Sequence, residues 1–220
     1  MKKKIIIISL ILLVISILLI VSYKVINKVK LNGYIDKTIE YKDKINYSTN
    51  INLKIRTKES SSEVDYDIVK SYDLEKIVLS NKVDNKLKYR IIKYVETKNN
   101  KKTTYVYDGE QYEKDKKSKE IFNIRYEELK GRKVKKVSKN KYEIRMKSYD
   151  AYNMIYPKDV VKEEATNKDI NVTIVIEEKT NFIKEIYYEI DDMGNNNSMT
   201  YIVRIENRDI NNHNKIDLPF

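Results

Sequence analysis

The feature that most constrains this chain is an uncharged apolar run near its N-terminus. Residues 5–22 (IIIISLILLVISILLIVS) contain no charge, glycine or proline, and Met1 and three lysines precede them. As a helix rising about 1.5 Å per residue, the run is about 27 Å long, close to the ~30 Å of a hydrocarbon core. Tyr23 follows at the expected interface. We therefore expect a transmembrane helix, with the rest of the chain folded beside a membrane.

A cleaved secretory signal is the alternative interpretation, because a basic start followed by an apolar stretch is typical of such signals. The run, however, is longer than the usual apolar region of about 7 to 15 residues, and no small-x-small cleavage site closes it. The chain also has no cysteine, which excludes the lipid-modified cysteine of a bacterial lipoprotein. An uncleaved signal anchor is therefore favoured.

Lysines flank the apolar run on both sides in about equal number, so the positive-inside rule gives little preference for either orientation. Lys24, Lys28 and Lys30 follow the run and are candidates for contact with anionic headgroups at the membrane surface. The short basic tail favours a cytoplasmic N-terminus and an extracytoplasmic body in a single-pass protein of the cell membrane. We expect a tail and anchor over 1–24, a juxtamembrane stalk over 25–33 and one extracytoplasmic domain over 34–220.

The net charge of +11 is concentrated beside the membrane. Residues 1–30 contain six lysines and no acid, which leaves 38 basic and 33 acidic residues in the body, a net charge of +5. Basic runs such as 114–119 (KDKKSK) and 130–136 (KGRKVKK) lie between hydrophobic stretches and are typical of a solvated loop or strand edge. Since no recognisable nucleic-acid-binding module accompanies them, we expect no nucleic-acid partner.

Hydrophobic periodicity divides the body into one helix and many strands. The apolar residues of 34–45 fit one helical stripe. The period then changes to two, most clearly over 47–56, where Tyr47, Ile51 and Ile55 alternate with polar residues. The same alternation predicts strands around 64–68, 87–91, 103–107, 142–146, 172–176, 183–190 and 199–205.

Strands joined by polar turns predict an antiparallel meander with one apolar face. Residues 126–129 and 150–165 are the other helical candidates, and Pro157 interrupts the second. The expected fold class is α+β, mainly antiparallel β.

The segment 103–112 (TTYVYDGEQY) resembles the "YxYDGxxxY" strand and turn of LolA/LppX-like half-barrel proteins, which include lipoprotein carriers and membrane-tethered relatives in Gram-positive bacteria. The strands near the C-terminus and Ile216-Asp217-Leu218-Pro219 are similar to that family's terminal meander. The Asp108-Gly109 pair also suits an ordinary hairpin turn. The resemblance implies a strongly curved half-barrel with one to three short helices on its concave face. It also implies an apolar cavity for acyl chains and no catalytic residues.

A lipid site of this kind needs a concavity lined by apolar side chains. The alternating strands supply the candidate ligand-cavity residues: Ile51, Leu53, Ile55, Tyr66, Ile68, Tyr89, Tyr105, Tyr107, Ile144 and Ile174. The alternative for each one is an ordinary core position, because every half-buried sheet needs an apolar stripe.

Catalytic motifs are not found in the sequence. The one histidine, His213, lies in a polar stretch without a cysteine or second imidazole to form a metal site or a nucleophile pair. Adjacent acids such as Glu177-Glu178 point to opposite faces of a strand. The polar turn 191–197 lacks the ligand spacing of a calcium loop. We therefore expect no enzyme activity, no metal and no cofactor.

Two functions remain open. The first is an anchored domain that binds a lipid, a lipoprotein or another hydrophobic ligand in a half-barrel cavity. The second is a cell-envelope interaction, sensor or scaffold domain with a solid core, an envelope protein as its partner and no lipid ligand. An open apolar pocket on the concave face would favour the first, whereas a concave face filled by the protein's own helices would favour the second.

Overall fold

A computed structural model describes residues 2–42, 46–99, 101–107, 112–115, 124–155, 167–193, 199–209 and 216. These residues form two α-helices, a 3₁₀ helix and eleven strands. The elements run in the order α1 (Lys2–Tyr41), β1 (Tyr47–Arg56), β2 (Ser61–Ser71), β3 (Leu74–Val83), β4 (Lys86–Lys98), β5 (Lys101–Tyr107), β6 (Tyr112–Asp115), the 3₁₀ helix (Tyr126–Leu129), β7 (Lys133–Lys136), β8 (Lys141–Lys147), α2 (Ser148–Asn153), β9 (Asp169–Ile176), β10 (Ile183–Met193) and β11 (Met199–Arg208).

Helix α1 joins the apolar run directly to the folded body. It is a continuous helix of 40 residues, about 60 Å long. By length and composition it can cross a membrane, and the side chains of residues 9–26 are exposed. The expected stalk, 25–33, is helical throughout, so no break in secondary structure separates the anchor from the body.

The C-terminal half of α1 packs on the body through one stripe. Asn27, Leu31, Ile35 and Thr38 are all buried, at the i, i+4, i+8 and i+11 spacing of one helical face. The predicted packing helix over 34–45 is therefore the end of α1, which stops at Tyr41, and residues 43–45 lie outside the described residues.

The strands form one open sheet in the order β6-β5-β4-β3-β2-β1-β11-β10-β9-β8-β7. All neighbouring pairs are antiparallel, and β6 and β7 lie at the two edges. Because β1 pairs with β11, the two ends of the body meet in the middle of the sheet. The expected α+β class, a curved half-barrel preceded by a long apolar helix, is confirmed.

Burial divides the sheet into two parts. In β8, β9, β11 and β1, buried residues alternate with exposed or half-buried ones, as expected for a sheet covered on one face. In β2 to β5 this alternation is largely lost, and most residues on both faces are half-buried. We call β7 to β11 with β1 the packed half, and β2 to β5 the wing.

Candidate functional site

Strand register places one apolar row across most of the sheet. In the packed half, Tyr142 pairs with Ile174, Ile174 with Ile186, and Ile186 with Ile205. The row then passes through the pair Ile205 and Ile51 into the wing, where its members are Tyr66, Leu79 and Ile91. We call the face that carries this row the concave face, since α1 and the short helices contact it.

The short helices cover the concave face of the packed half. The Tyr188 hydroxyl donates a hydrogen bond of 2.8 Å to the Ala151 carbonyl of α2, and the Tyr152 ring packs edge-on against Tyr201 at 5.6 Å. From α1, the Tyr34 ring lies 6.2 Å from that of Tyr142. These contacts leave Ile51, Ile174, Ile186 and Ile205 0% exposed, so this part of the face is a filled core.

A buried polar network around Asn207 holds the covering elements in place. The Asn207 amide nitrogen donates to the Ile183 carbonyl at 2.7 Å, and its amide oxygen accepts from the Thr49 hydroxyl at 2.8 Å. The Tyr126 hydroxyl of the 3₁₀ helix lies 3.2 Å from the amide nitrogen. In turn, the Ile183 amide donates to the Thr38 hydroxyl of α1 at 3.1 Å. The network therefore connects α1 and the 3₁₀ helix to β1, β10 and β11.

The electrostatics of this network follow from burial. Removal from water disfavours the phenolate and raises the pKa of Tyr126 to about 12, although the hydrogen bond from Asn207 partly opposes the rise. Tyr126 is therefore a neutral, structural phenol at ordinary pH.

In the wing, the concave face is less covered. Tyr66, Leu79 and Ile91 are half-buried, and Tyr89 is 47% exposed. The pKa of Tyr66 is raised, mainly by burial and then by the neighbouring Tyr89 hydroxyl, which places these two tyrosines near each other. The wing thus presents an accessible apolar and aromatic surface that continues the buried row of the packed half.

The ten sequence-predicted cavity residues divide into three groups. One group is buried and belongs to the core: Ile51, Leu53, Ile68, Ile144 and Ile174. A second group lies on the concave face with more exposure: Ile55, Tyr66 and Tyr89. The last two, Tyr105 and Tyr107, face the opposite side, because Tyr105 pairs with Tyr94 rather than with a member of the concave row.

The opposite, convex face is polar over the packed half and over the adjoining strands of the wing, and Tyr94, Tyr105 and Tyr107 add aromatic rings toward the far end of the wing. Across β1, β2, β10 and β11 it carries ion pairs such as Arg204 with Glu185 at 2.9 Å and Lys54 with Glu63 at 3.8 Å. In the wing, the Lys76 ammonium lies 5.7 Å from the centre of the Tyr94 ring. This face has the charges of a solvated surface.

Leu79 and Ile91 extend the site beyond the sequence-predicted residues. Leu79 was missed because β3 has three consecutive apolar residues, Ile77, Val78 and Leu79, which hide a period of two. Ile91 lies in a predicted strand, but its place in the concave row becomes visible only from the register. No sequence signal distinguishes these positions from ordinary core residues.

The expected membrane-surface residues Lys24, Lys28 and Lys30 are exposed on α1 just beyond the apolar run. Within the described part of the chain, no group of three or more histidine, cysteine, aspartate or glutamate residues could hold a metal ion. His213, the Asp108-Gly109 turn, Pro157 and the terminal residues 217–219 lie outside the described residues.

Comparison with known proteins leaves the chain without an assigned family. No protein-family model matches its sequence, and no curated protein is similar to it.

Proposed function

We propose that this chain is a membrane-anchored, extracytoplasmic, non-enzymatic domain that binds a lipid, a lipoprotein or another hydrophobic ligand on the concave face of its half-barrel. The supporting observation is the apolar row that begins in the filled core at Ile51 and continues to the half-buried Tyr66, Leu79 and Ile91 of the wing. Accessible apolar surface of this kind is typical of sites that take up a hydrophobic partner. The ligand would therefore occupy the wing, since the protein's own helices fill the packed half.

The resemblance of the segment 103–112 to LolA/LppX-like proteins is consistent with this proposal. A body attached to a continuous anchor helix would act close to the membrane rather than as a freely diffusing carrier. It would receive or hold a hydrophobic ligand at that surface.

Native mass spectrometry of the full-length chain, extracted with lipids in mild detergent, tests the proposal. The wild-type protein should carry a co-purifying hydrophobic ligand, and Leu79→Lys should reduce the retained ligand at least about tenfold, because a charge cannot be buried against it without a large penalty. Ser80→Lys is the matched control. Ser80 is the next residue along β3 and faces the convex side, where it pairs with Asp65 and Arg90. A wild-type protein without ligand, or equal loss in both variants, would contradict the proposal.

The second candidate function is a cell-envelope interaction or scaffold domain without a lipid ligand. The filled core beneath α1 favours it, as does the charged convex face. It predicts that charge reversal at Arg204 and Glu185 abolishes crosslinking to an envelope protein, while Leu79→Lys has no effect on that crosslinking. Crosslinking in whole cells followed by mass spectrometry distinguishes the two functions.

A further inference from the structure

A cleft lies between α1 and β7, at the opposite edge of the sheet from the wing. Its volume is about 630 Å³, within the range of about 300 to 1,000 Å³ that is usual for ligand pockets. Its lining includes Leu19, Ile20, Lys24 and Asn27 of α1 and Val134 and Lys136 of β7.

The position of the cleft along α1 places it at the membrane boundary. Leu19, Ile20 and Ser22 belong to the apolar run, whereas Lys24 and Asn27 lie beyond it. From residue 19 to residue 27 the helix rises about 12 Å. When α1 spans a bilayer, one end of the cleft is therefore at the depth of acyl chains and the other is among the headgroups.

The polar end of the cleft is basic. Lys136 lies on the concave face toward α1, since it pairs with Tyr142, and it is half-buried. In the described part of the chain, neither the Lys24 nor the Lys136 ammonium has a carboxylate within 4 Å, whereas Lys135 on the other face pairs with Glu143 at 3.2 Å. The Asn27 side chain, in a residue that is only 4% exposed, also lines the cleft and has no hydrogen-bond partner among the described residues.

We propose that this cleft binds one anionic phospholipid from the leaflet next to the body. The Lys24 and Lys136 ammonium groups neutralise the headgroup phosphate, and the Asn27 amide donates a hydrogen bond to a phosphate or ester oxygen. An acyl chain then lies along Leu19, Ile20 and Val134. The bound lipid orients the edge strand β7 against the membrane, and this site is separate from the proposed ligand surface of the wing.

Competition between two lipids tests the proposal. The full-length protein is placed in nanodiscs that contain equal amounts of phosphatidylglycerol and phosphatidylcholine. The protein is then released from the nanodiscs, and the lipids that stay bound to it are counted by native mass spectrometry. Wild type should retain one phosphatidylglycerol preferentially. Lys24→Gln and Lys136→Gln should each lower that preference roughly fivefold, as expected for one lysine at a lipid surface. The double variant Lys24→Arg with Lys136→Arg should retain it.

The control removes the same charge outside the cleft. It is the double variant Lys133→Gln with Lys141→Gln, both exposed residues of the sheet that do not line the cleft. Circular dichroism verifies that every variant is folded. An unchanged preference after Lys24→Gln with Lys136→Gln overturns the proposal, and so does an equal loss in the control, which would indicate a diffuse surface attraction. A protein dimer mass in place of a lipid adduct would overturn it as well. The wing variant Leu79→Lys should retain this single phosphatidylglycerol, so the loss expected for the wing ligand is counted only on the ligand that is bound in addition to it.

Discussion

The packed half and the wing are built from the same kind of strand and differ in what covers them. Ile205 and Ile91 lie in the same apolar row of the concave face, yet Ile205 is 0% exposed and Ile91 is half-buried. In the strands of the wing, only Ile68, Ile77 and Tyr94 are buried hydrophobic residues. Apolar character alone therefore does not define the core, since the contacts of α1, the 3₁₀ helix and α2 decide which half is filled.

This difference has a thermodynamic consequence and a functional one. The packed half gains the hydrophobic and dispersion energy of a close-packed interior. The wing relies more on backbone pairing and on side-chain pairs across strands, each of which contributes roughly 0.2 to 1 kcal/mol. The packed half should then determine the stability of the body. Under the proposed function, the apolar residues of the wing contact the ligand.

The largest expected effect is a contrast between two isoleucines. Ile205→Ala should lower the free energy of unfolding by about 2 to 5 kcal/mol, because it creates a cavity in a filled core. Ile91→Ala should lower it by less than about 1.5 kcal/mol, since a half-buried side chain loses less burial and the site stays accessible to water. Denaturant unfolding of the full-length chain in detergent micelles, followed by circular dichroism, measures both. Equal losses would mean that the wing is packed as tightly as the core.

The next effect appears at alkaline pH. Tyr126 has its pKa raised to about 12 in the folded protein, compared with 10.0 as its ordinary value. Above pH 10 the unfolded chain loses this proton while the folded chain retains it, so the unfolded state binds fewer protons and stability falls as pH rises. The part due to Tyr126 is fully present below pH 10 and is lost by about pH 12, a change of roughly 3 kcal/mol.

Tyr126→Phe should remove this component from the slope of stability against pH. Denaturant unfolding at several pH values between roughly 9.5 and 12 measures the slope. This range covers the pKa of Tyr126 in the unfolded chain and in the folded protein. Tyr66→Phe in the wing is the comparison. Its pKa is raised in the same direction by partial burial, so it should remove a smaller component. A larger change in the slope for Tyr66→Phe than for Tyr126→Phe would contradict the conclusion that the packed half is more buried than the wing.

Sequence periodicity predicted the elements whose two faces have different surroundings. Strand β1 alternates cleanly in sequence and in burial because one face lies on the core. Strand β3 was missed, since Ile77, Val78 and Leu79 place apolar groups on both faces of the wing. Strand β7 (KVKK) was missed because only one of its four residues is apolar, which is too few to show a period of two. Its contact with α1 joins segments that are far apart in the sequence, so no local pattern reveals it.

Long-range pairing determines the rest of the candidate site. The sequence grouped Tyr105 with Tyr66 as cavity residues because both alternate with polar neighbours. The register places them on opposite faces, since Tyr66 pairs with Ile51 and Tyr105 with Tyr94. In the same way, the helix predicted after the apolar run is part of α1, but its docking on β10 depends on a hydrogen bond between residues 145 positions apart.

That hydrogen bond leads to the smallest effect. The Thr38 hydroxyl accepts the buried Ile183 amide at 3.1 Å and donates to the Tyr34 carbonyl at 2.9 Å. Thr38→Val keeps the shape of the side chain but leaves the amide without its acceptor, which should cost about 1 to 2 kcal/mol. Thr103→Val, at a half-buried position in the wing, should change stability by less than about 0.5 kcal/mol.

Hydrogen exchange of the full-length chain locates the effect of Thr38→Val. If α1 stabilises the packed half alone, exchange should accelerate in β10 and at the end of α1, while the amides of β3 and β4 keep their wild-type rates. Acceleration throughout both halves would show that the sheet opens as one cooperative unit. The wing would then depend on the docking of α1, although the main contacts of α1 are with β7, β10 and the 3₁₀ helix. Binding of a ligand to the wing would be coupled to the position of the anchor helix.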